Sequence, residues 1–230
     1  MKLSIIIPCY NEVNNLSPLI NKVDAVVLER KIKKEIILVD DGSTDGSTEY
    51  IKKKIKDNIK KLYHQKNMGK GAAVKTGIKQ ATGDMIIIQD ADLELNPEEY
   101  NSLISHMLDN KYSVVYGSRT LNKNNKFPNL FFLFGGKLVT FVTNALYSSK
   151  LTDEPTCYKL FKTDLIKKIK IENDRFSWEP EITAKILKMG IDIGEVPISY
   201  VARKKQEGKK LRFKDGFEAI WTLLYYRFKR

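Results

Sequence analysis

The sequence predicts a doubly wound α/β fold with a mostly parallel sheet, and three observations carry that prediction. Apolar runs of strand length alternate with segments of helical periodicity through the first half. Those runs are continuous rather than alternating, as in strands buried on both faces. Polar or acidic clusters follow three of them, as at the carboxyl ends of strands in an open sheet, where ligands bind. With 230 residues and a hydrophobic fraction of 42%, the chain is expected to fold as one domain over residues 1–230. A division near residue 120 separates a nucleotide-binding half, 1–120, from an acceptor-binding half, 121–230.

Taken in order, residues 4–8 (SIIIP) read as a first strand, followed by a polar turn and a periodic segment over 16–28. Residues 35–41 (EIILVDD) form a second strand ending in acids, and Asp45 is placed to cap a helix over 47–59. A short third strand is expected at 61–63 and a third helix at 70–80. Residues 84–92 (DMIIIQDAD) give the strongest strand signal, with three consecutive isoleucines. Asn96-Pro97-Glu98-Glu99 then combines an N-cap, a proline at the first helical position and acids in the first turn. In the second half, strands are expected at 112–116 and 193–201. An amphipathic helix covers 179–189 and stops at Gly190, and a final aromatic helix covers 216–228. Residues 127–147 are aromatic and weakly helical, readable either as a core helix or as a membrane-surface segment.

The formal charge of +12 favours anionic partners: nucleic acid, phosphorylated substrates or acidic lipid. Runs such as Lys52-Lys53-Lys54 read as a solvated helix face. Cys9 and Cys157 stand far apart and outside any CxxC pair, so they are expected to be small buried residues and not zinc ligands. The first apolar run is too short for a signal peptide, and no stretch of 18 or more apolar residues predicts a transmembrane helix.

The chemistry lies in the three clusters Pro8-Cys9-Tyr10-Asn11-Glu12, Asp40-Asp41-Gly42-Ser43 and Asp90-Ala91-Asp92-Leu93-Glu94, which strand ends of one parallel sheet bring to a single crevice. In an extended segment, residues i and i+2 point the same way, so Asp90 and Asp92 are expected to face one cation. Hard divalent ions, Mg²⁺ or Mn²⁺, take such oxygen ligands and keep positions for phosphate, neutralising a diphosphate leaving group. Asp41 is a candidate for the base or ribose, Tyr10 for stacking on the base and Glu12 for accepting from it. Asp40 is placed to cap its turn. Asn67-Met68-Gly69-Lys70-Gly71 lacks P-loop spacing and reads either as a helix start or as Lys70 placed near a donor phosphate.

As a set, PCYNE (8–12), VDDGSTD (39–45), NMGKGAAVKTG (67–77) and DADLE (90–94) resemble the family 2 glycosyltransferases, which have the nucleotide-sugar-binding GT-A fold. Within that family the chain is similar to polyprenyl-phosphate sugar transferases, typified by dolichol-phosphate mannose synthases. This likeness rests on GSR (117–119), LTDEPTCYKLF (151–161), WEPEI (178–182) and EVPISYVAR (195–203), continuing through Lys210. The resemblance implies that Pro8, Tyr10, Glu12, Val39 and Asp41 contact the nucleotide of a GDP-, UDP- or dTDP-sugar. It implies that Asp90, Ala91 and Asp92 hold the metal and diphosphate, helped by Glu94 where relatives carry Gln. Arg119 and Arg203 would meet phosphates, Lys209 and Lys210 would close over the donor, and Asp153 would lie near the acceptor pocket. A basic residue that the subgroup carries after an aromatic-proline turn is replaced by Phe131 and Phe132, with Lys137 as the substitute.

The expected reaction is an inverting transfer. A polyprenyl phosphate acceptor is already anionic near neutral pH, since a phosphate's second pKa is about 6, and needs cations rather than a base. A saccharide hydroxyl in cell-surface polysaccharide synthesis is the alternative acceptor, with Asp153 or Glu181 as its base. His64 and His106 lie outside the motifs and read as structural. Phe131, Phe132, Phe134, Phe141 and Tyr147, with Lys137 and Lys150, suit a cytoplasmic protein held peripherally on the cytoplasmic face of a membrane, by lipid or by a membrane partner subunit. Relatives of this kind often add C-terminal transmembrane helices; none is expected within these residues. A nucleotidyltransferase would show a GxGxRL-type loop near the N-terminus, which PCYNEVNNL is not. A nucleic-acid-binding role is opposed by the acids grouped at strand ends.

Overall fold

The computed structural model describes residues 1–127, 130–203 and 213–229, without the side chains of residues 130–132 and 213. Strands β1 (Lys2–Cys9), β2 (Lys33–Asp40), β3 (Lys60–Tyr63) and β4 (Met85–Ile88) pair in parallel in the order β3-β2-β1-β4. Helices α1 (Val13–Ala25), α2 (Ser47–Lys54) and α3 (Lys70–Gln80) connect them. Helix α4 (Tyr100–Asp109) follows a short 3-10 turn in which Asn96 accepts from the Glu98 amide and Pro97 leads, as the sequence signals.

The second half extends the same sheet. It contains β5 (Val114–Ser118), α5 (Leu130–Tyr147), β6 (Lys159–Lys162), the single turn α6 (Thr163–Ile166), α7 (Trp178–Lys188), β7 (Ile193–Pro197) and α8 (Phe213–Phe228). The full order is β3-β2-β1-β4-β6-β5-β7, with β6 antiparallel to both neighbours and β5 parallel to β7. The mostly parallel, doubly wound expectation holds. Strand β6 was not expected: it is four residues long, and only the gap between β4 and β5 makes it a strand. Several elements are also shorter than their signals, β4 ending at Ile88 and α2 at Lys54.

Both faces of the sheet are covered, which explains the unbroken apolar runs. Along β1, Leu3, Ile5 and Ile7 face one core with Leu16, Leu19 and Val23 of α1 and Leu103 and Met107 of α4. Ile6 faces the other, with Ala73, Val74 and Ile78 of α3 and Trp178, Ile182 and Ile186 of α7. Each such buried isoleucine contributes about 1.5–3 kcal/mol. Helix α3 lies so close to the sheet that a Cβ at Gly77 would collide with the Ile6 side chain.

A third, small core of Val139, Ala184, Leu223 and Tyr226 joins α5, α7 and α8. Outside it, α5 leaves Phe134, Leu138 and Phe141 exposed at helical spacing, and α8 leaves Phe217, Trp221, Tyr225 and Phe228 exposed. No helix among the described residues is long and apolar enough to cross a membrane.

Candidate active site

The register places three strand ends together. Cys9 lies opposite Asp40 and Ile6 opposite Ile88, and the amides of Asp41 and Gln89 donate to the β1 carbonyls of Cys9 and Ile6. The loop after β1 is stitched to the loop after β2. Asn11, in the left-handed region at φ 52°, donates its amide to Ser43 and accepts from the Thr44 amide, while the Glu12 amide donates to Ser47. Asp45 accepts from Ser47 and Val13, which fixes the start of α2. Asp40 accepts from Ser43 and Thr48 and caps its turn as expected. Pro8 and Tyr10 remain half-buried at the rim.

Two nucleotide contacts expected from the sequence are turned inwards. Val39 is wholly buried in the core beneath α3, so its side chain is closed to a ligand. Asp41 is 2% exposed. Its carboxylate accepts from the amides of Met68 at 2.9 Å and Gly69 at 2.7 Å, and from Nδ1 of His64 at 2.7 Å. His64 Nε2 in turn lies 2.9 Å from the Thr76 hydroxyl. Asp41 therefore anchors the turn that launches α3, and His64, read from sequence only as structural, orients it. Gly69 permits that turn: its φ is +107°, and a Cβ there would meet the Asp174 carbonyl.

The Asp90–Glu94 segment is a turn rather than an extended strand. Leu93 takes φ 62°, the Glu94 amide donates to Asp92 at 3.1 Å, and Ala91 packs into the core. β4 stops at Ile88, so no extended strand carries Asp90 and Asp92 to one side as expected; the turn itself holds both, and both are partly exposed. Burial, then the charges of Asp90 and Glu94, push the Asp92 carboxyl up to about 7 against the opposing effect of Arg203. Glu94, expected beside the metal, is engaged by the chain itself. It accepts from the Arg203 amide at 2.9 Å and bonds the Tyr200 hydroxyl, fastening residues 200–203 to the turn.

Arg203 completes the fastening. Its guanidinium donates to the Asp92 carbonyl at 3.0 Å and to Glu12 at 2.6 Å, so the expected phosphate contact and base contact are here paired with each other. Lys70, at the first position of α3, reaches both oxygens of Asp90 at 2.8 and 2.9 Å and Glu179 of α7 at 2.8 Å. Burial opposes its charge, but Asp90, Cys157 and Glu179 outweigh this and hold Lys70 protonated well above the ordinary lysine range. The Cys157 thiol lies against Asp90 and is pushed well up by burial.

Across the crevice, Asp153 receives a bidentate pair from Arg119, 2.8 Å from both Nε and Nη2, and the Arg119 amide adds a third bond. Glu195 fixes the amides of Thr152 and Asp153. Arg119 also lies over the Tyr200 ring at 5.3 Å, and that ring stacks on Phe127. Glu181 is wholly buried and accepts from the amides of Glu172 and Asn173. Both carboxylates considered as a base for a hydroxyl acceptor are therefore engaged by chain partners, Asp153 by Arg119 and Glu181 by the 172–173 amides. Lys209 and Lys210 lie outside the described residues, as do the side chains of Phe131 and Phe132; Lys137 is exposed on α5. Sequence reasoning did not single out Glu179, Glu195 or Tyr200; each acts through a partner distant in the chain, and only the WEPEI and EVPISYVAR motifs drew attention to their segments.

The residues fit a divalent cation held in part by the chain. Among the described residues no group of three or more His, Cys, Asp or Glu side chains is disposed to hold a metal. Two hard carboxylates with mutual repulsion, Asp90 and Asp92, are what an ion needs that completes its shell with water and phosphate oxygens.

Comparisons with known proteins agree with this architecture. A sequence model described as glycosyl transferase family 2 matches residues 4–170. The chain is 26% identical to dodecaprenyl-phosphate galacturonate synthase of Rhizobium johnstonii over 239 residues, covering 100% of this chain and 68% of that protein. It is 39% identical over 129 residues to undecaprenyl-phosphate 4-deoxy-4-formamido-L-arabinose transferase of Yersinia pestis, covering 55% of this chain and 39% of that one. In fold it is similar to glucosyl-3-phosphoglycerate synthase from Mycobacterium tuberculosis, solved with Mn²⁺, uridine diphosphate and phosphoglyceric acid. That likeness has a TM-score of 0.75 at 17% identity, over 98% of this chain and 78% of that one.

Proposed function

The chain belongs to glycosyl transferase family 2 and is a glycosyltransferase, and from that premise we propose that it moves a sugar, with inversion, from a nucleotide diphosphate donor to a polyprenyl phosphate at a membrane surface. The observation that carries the acceptor assignment is the Arg119–Asp153 pair. The carboxylate that would serve as base for a hydroxyl acceptor is locked to a guanidinium, and Glu181 is locked into the 172–173 loop. A phosphate acceptor needs no base, because it is already anionic at neutral pH. Arg119, steadied by Asp153 and the Tyr200 ring, positions that anion opposite the donor. The two relatives above are named for polyprenyl-phosphate substrates, which supports the same reading.

Residues 1–120 supply most of the donor site, closed by Glu179 and Arg203, and residues 121–230 together with Arg119 supply the acceptor face, within one domain. Tyr10 and Pro8 border the nucleoside, Asp41 and His64 hold the 67–71 turn in place, and Lys70 points into the crevice. Asp90 and Asp92 would hold Mg²⁺ or Mn²⁺, which supplies neutralising charge to the diphosphate leaving group. The exposed aromatic stripes of α5 and α8 attach the protein to the membrane, with the basic residues around them adding roughly 1 kcal/mol for each Lys or Arg near an anionic surface.

Donor hydrolysis screened across UDP-, GDP- and dTDP-sugars with Mn²⁺ or Mg²⁺, repeated with polyprenyl phosphate and anionic liposomes, tests the proposal. Transfer to the lipid phosphate and salt-reversible binding to liposomes are expected. Glycosylation of a soluble sugar hydroxyl, with no transfer to lipid phosphate, overturns the acceptor assignment and leaves the family untouched. Indifference to liposomes at low salt overturns direct lipid attachment and points instead to a membrane partner subunit.

A further inference from the structure

Lys70 is held in the crevice by two carboxylates at once. It contacts both oxygens of Asp90 and one of Glu179, and the three side chains expose only 12%, 16% and 8% of their surface. These partners come from three separate elements: the start of α3, the turn after β4, and the first turn of α7. The turn that sets Lys70 is itself immobilised by Asp41 through the Met68 and Gly69 amides, and by the Asp174 carbonyl, which accepts from the Ala72 amide. The ammonium is therefore aimed at Asp90 by the fold. Asp90 is also one of the two carboxylates that would hold a divalent cation, and Lys70 and such a cation cannot both take the same two oxygens.

We propose that Lys70 is a built-in stand-in for the cation, holding Asp90 until donor and cation arrive together, then keeping Glu179 and turning its freed N–H groups to the donor diphosphate. The inference rests on the glycosyltransferase reading and on Asp90 and Asp92 as cation ligands. Two charges explain why the exchange needs the donor. A cation arriving alone must break a buried ion pair and leave Lys70 with one carboxylate fewer, whereas a cation arriving with a diphosphate brings the anion that replaces Asp90 for Lys70. Glu179 keeps the ammonium within reach throughout, since its contact does not involve Asp90. Cation and nucleotide should therefore bind with positive coupling, each raising the affinity for the other by the same factor.

The test is Mn²⁺ binding to the full chain, read as loss of the free Mn²⁺ paramagnetic resonance signal, without nucleotide and with UDP or GDP, each corrected by a protein-free titration at the same nucleotide concentration. The parent protein should bind Mn²⁺ weakly alone and about tenfold or more tightly with a nucleotide, equivalent to about 1.4 kcal/mol of coupling. Lys70→Met should bind Mn²⁺ alone about tenfold more tightly than the parent, and should gain less from nucleotide than the parent does, keeping only what direct phosphate coordination supplies. Lys66→Gln, which removes an exposed charge from the same loop, should behave like the parent. Glu179→Gln, a milder change than Lys70→Met, should lose most of the nucleotide-dependent gain, because Lys70 then has no second anchor. Circular dichroism confirms that each variant is folded. The inference is overturned if Lys70→Met binds Mn²⁺ alone no better than the parent, if Lys66→Gln improves as much, or if Glu179→Gln keeps the full gain. If no form binds Mn²⁺ even with nucleotide, the cation reading under the proposed function fails, and this inference fails with it.

Discussion

Replacing Asp153 with Asn separates an arginine-holding role from a general-base role. In the parent, both carboxylate oxygens accept from Arg119, and the side chains expose 20% for Arg119 and 4% for Asp153. Removing one partner of a buried pair costs about 3–5 kcal/mol, because the other charge is left uncompensated. The fifth of Arg119 that remains in solvent favours the lower end, about 3 kcal/mol. At about 2.1 cal/mol/K per residue, a domain of 230 residues unfolds with an entropy of roughly 0.48 kcal/mol/K, so Tm should fall by about 6 °C. Differential scanning calorimetry reads that shift. Steady-state kinetics should show acceptor KM rising more than kcat falls, as when a positioning contact is lost. The Arg119→Gln, Asp153→Asn double variant should be destabilised by less than the sum of the singles, with a coupling of about 2 kcal/mol. An unchanged Tm with kcat reduced about a thousandfold is the signature of a free general base and would refute the reasoning.

Three further outcomes are expected. Asp92→Asn should abolish turnover and weaken Mn²⁺-dependent nucleotide binding with the fold intact by circular dichroism; full activity in that variant, or in EDTA, sinks the metal assignment. Asp41→Ala leaves the Met68 and Gly69 amides without their acceptor, at a cost of about 1–3 kcal/mol, and the loosened turn should raise donor KM more than it lowers kcat; the reverse pattern would place Asp41 in the chemistry. Glu172 is held down to about 2, first by Lys229 and then by Tyr226, against an ordinary value of 4.5. Its folded pKa is depressed, so its contribution is full above about 4.5 and lost as pH falls towards 2. It is a third exposed, so the effect is small after screening. Thermal unfolding of the parent and of Glu172→Gln should differ at pH 6 and converge near pH 2–3; a constant difference would show that the Lys229 and Tyr226 contacts do not depend on the charge.

What the sequence made legible was whatever is decided within a few residues. The isoleucine runs of β1 and β4, the Asn96-Pro97 cap and the start of α3 at Lys70 all fall where local pattern places them. The convergence of three acidic strand ends also followed, because a parallel sheet brings carboxyl ends together. The functions of individual carboxylates did not. Asp41 and Glu94 look like ligand contacts in a linear motif, but His64, Tyr200 and Arg203 claim them, and the last two are more than 100 residues from Glu94. The Asp-Ala-Asp geometry was reached by assuming an extended chain, whereas Ala91 and Asp92 lie in a turn beyond the end of β4. The Lys70–Glu179 contact spans 109 positions, and no local pattern announces it.

The reversed strand β6 also constrains how the chain is made. While residues 85–88 are being synthesised and until residue 162 follows, β4 has β1 on one side and nothing on the other. Its MIII segment then presents an open row of amides and carbonyls with four apolar side chains, the kind of edge that recruits another copy of itself. Closure must await some seventy residues of intervening chain, including α5, so the pairing that seals the edge is a late and non-local event. A fragment ending near residue 120 would retain the acids of all three strand-end clusters yet carry that unsealed edge permanently, and would be expected to precipitate when expressed alone.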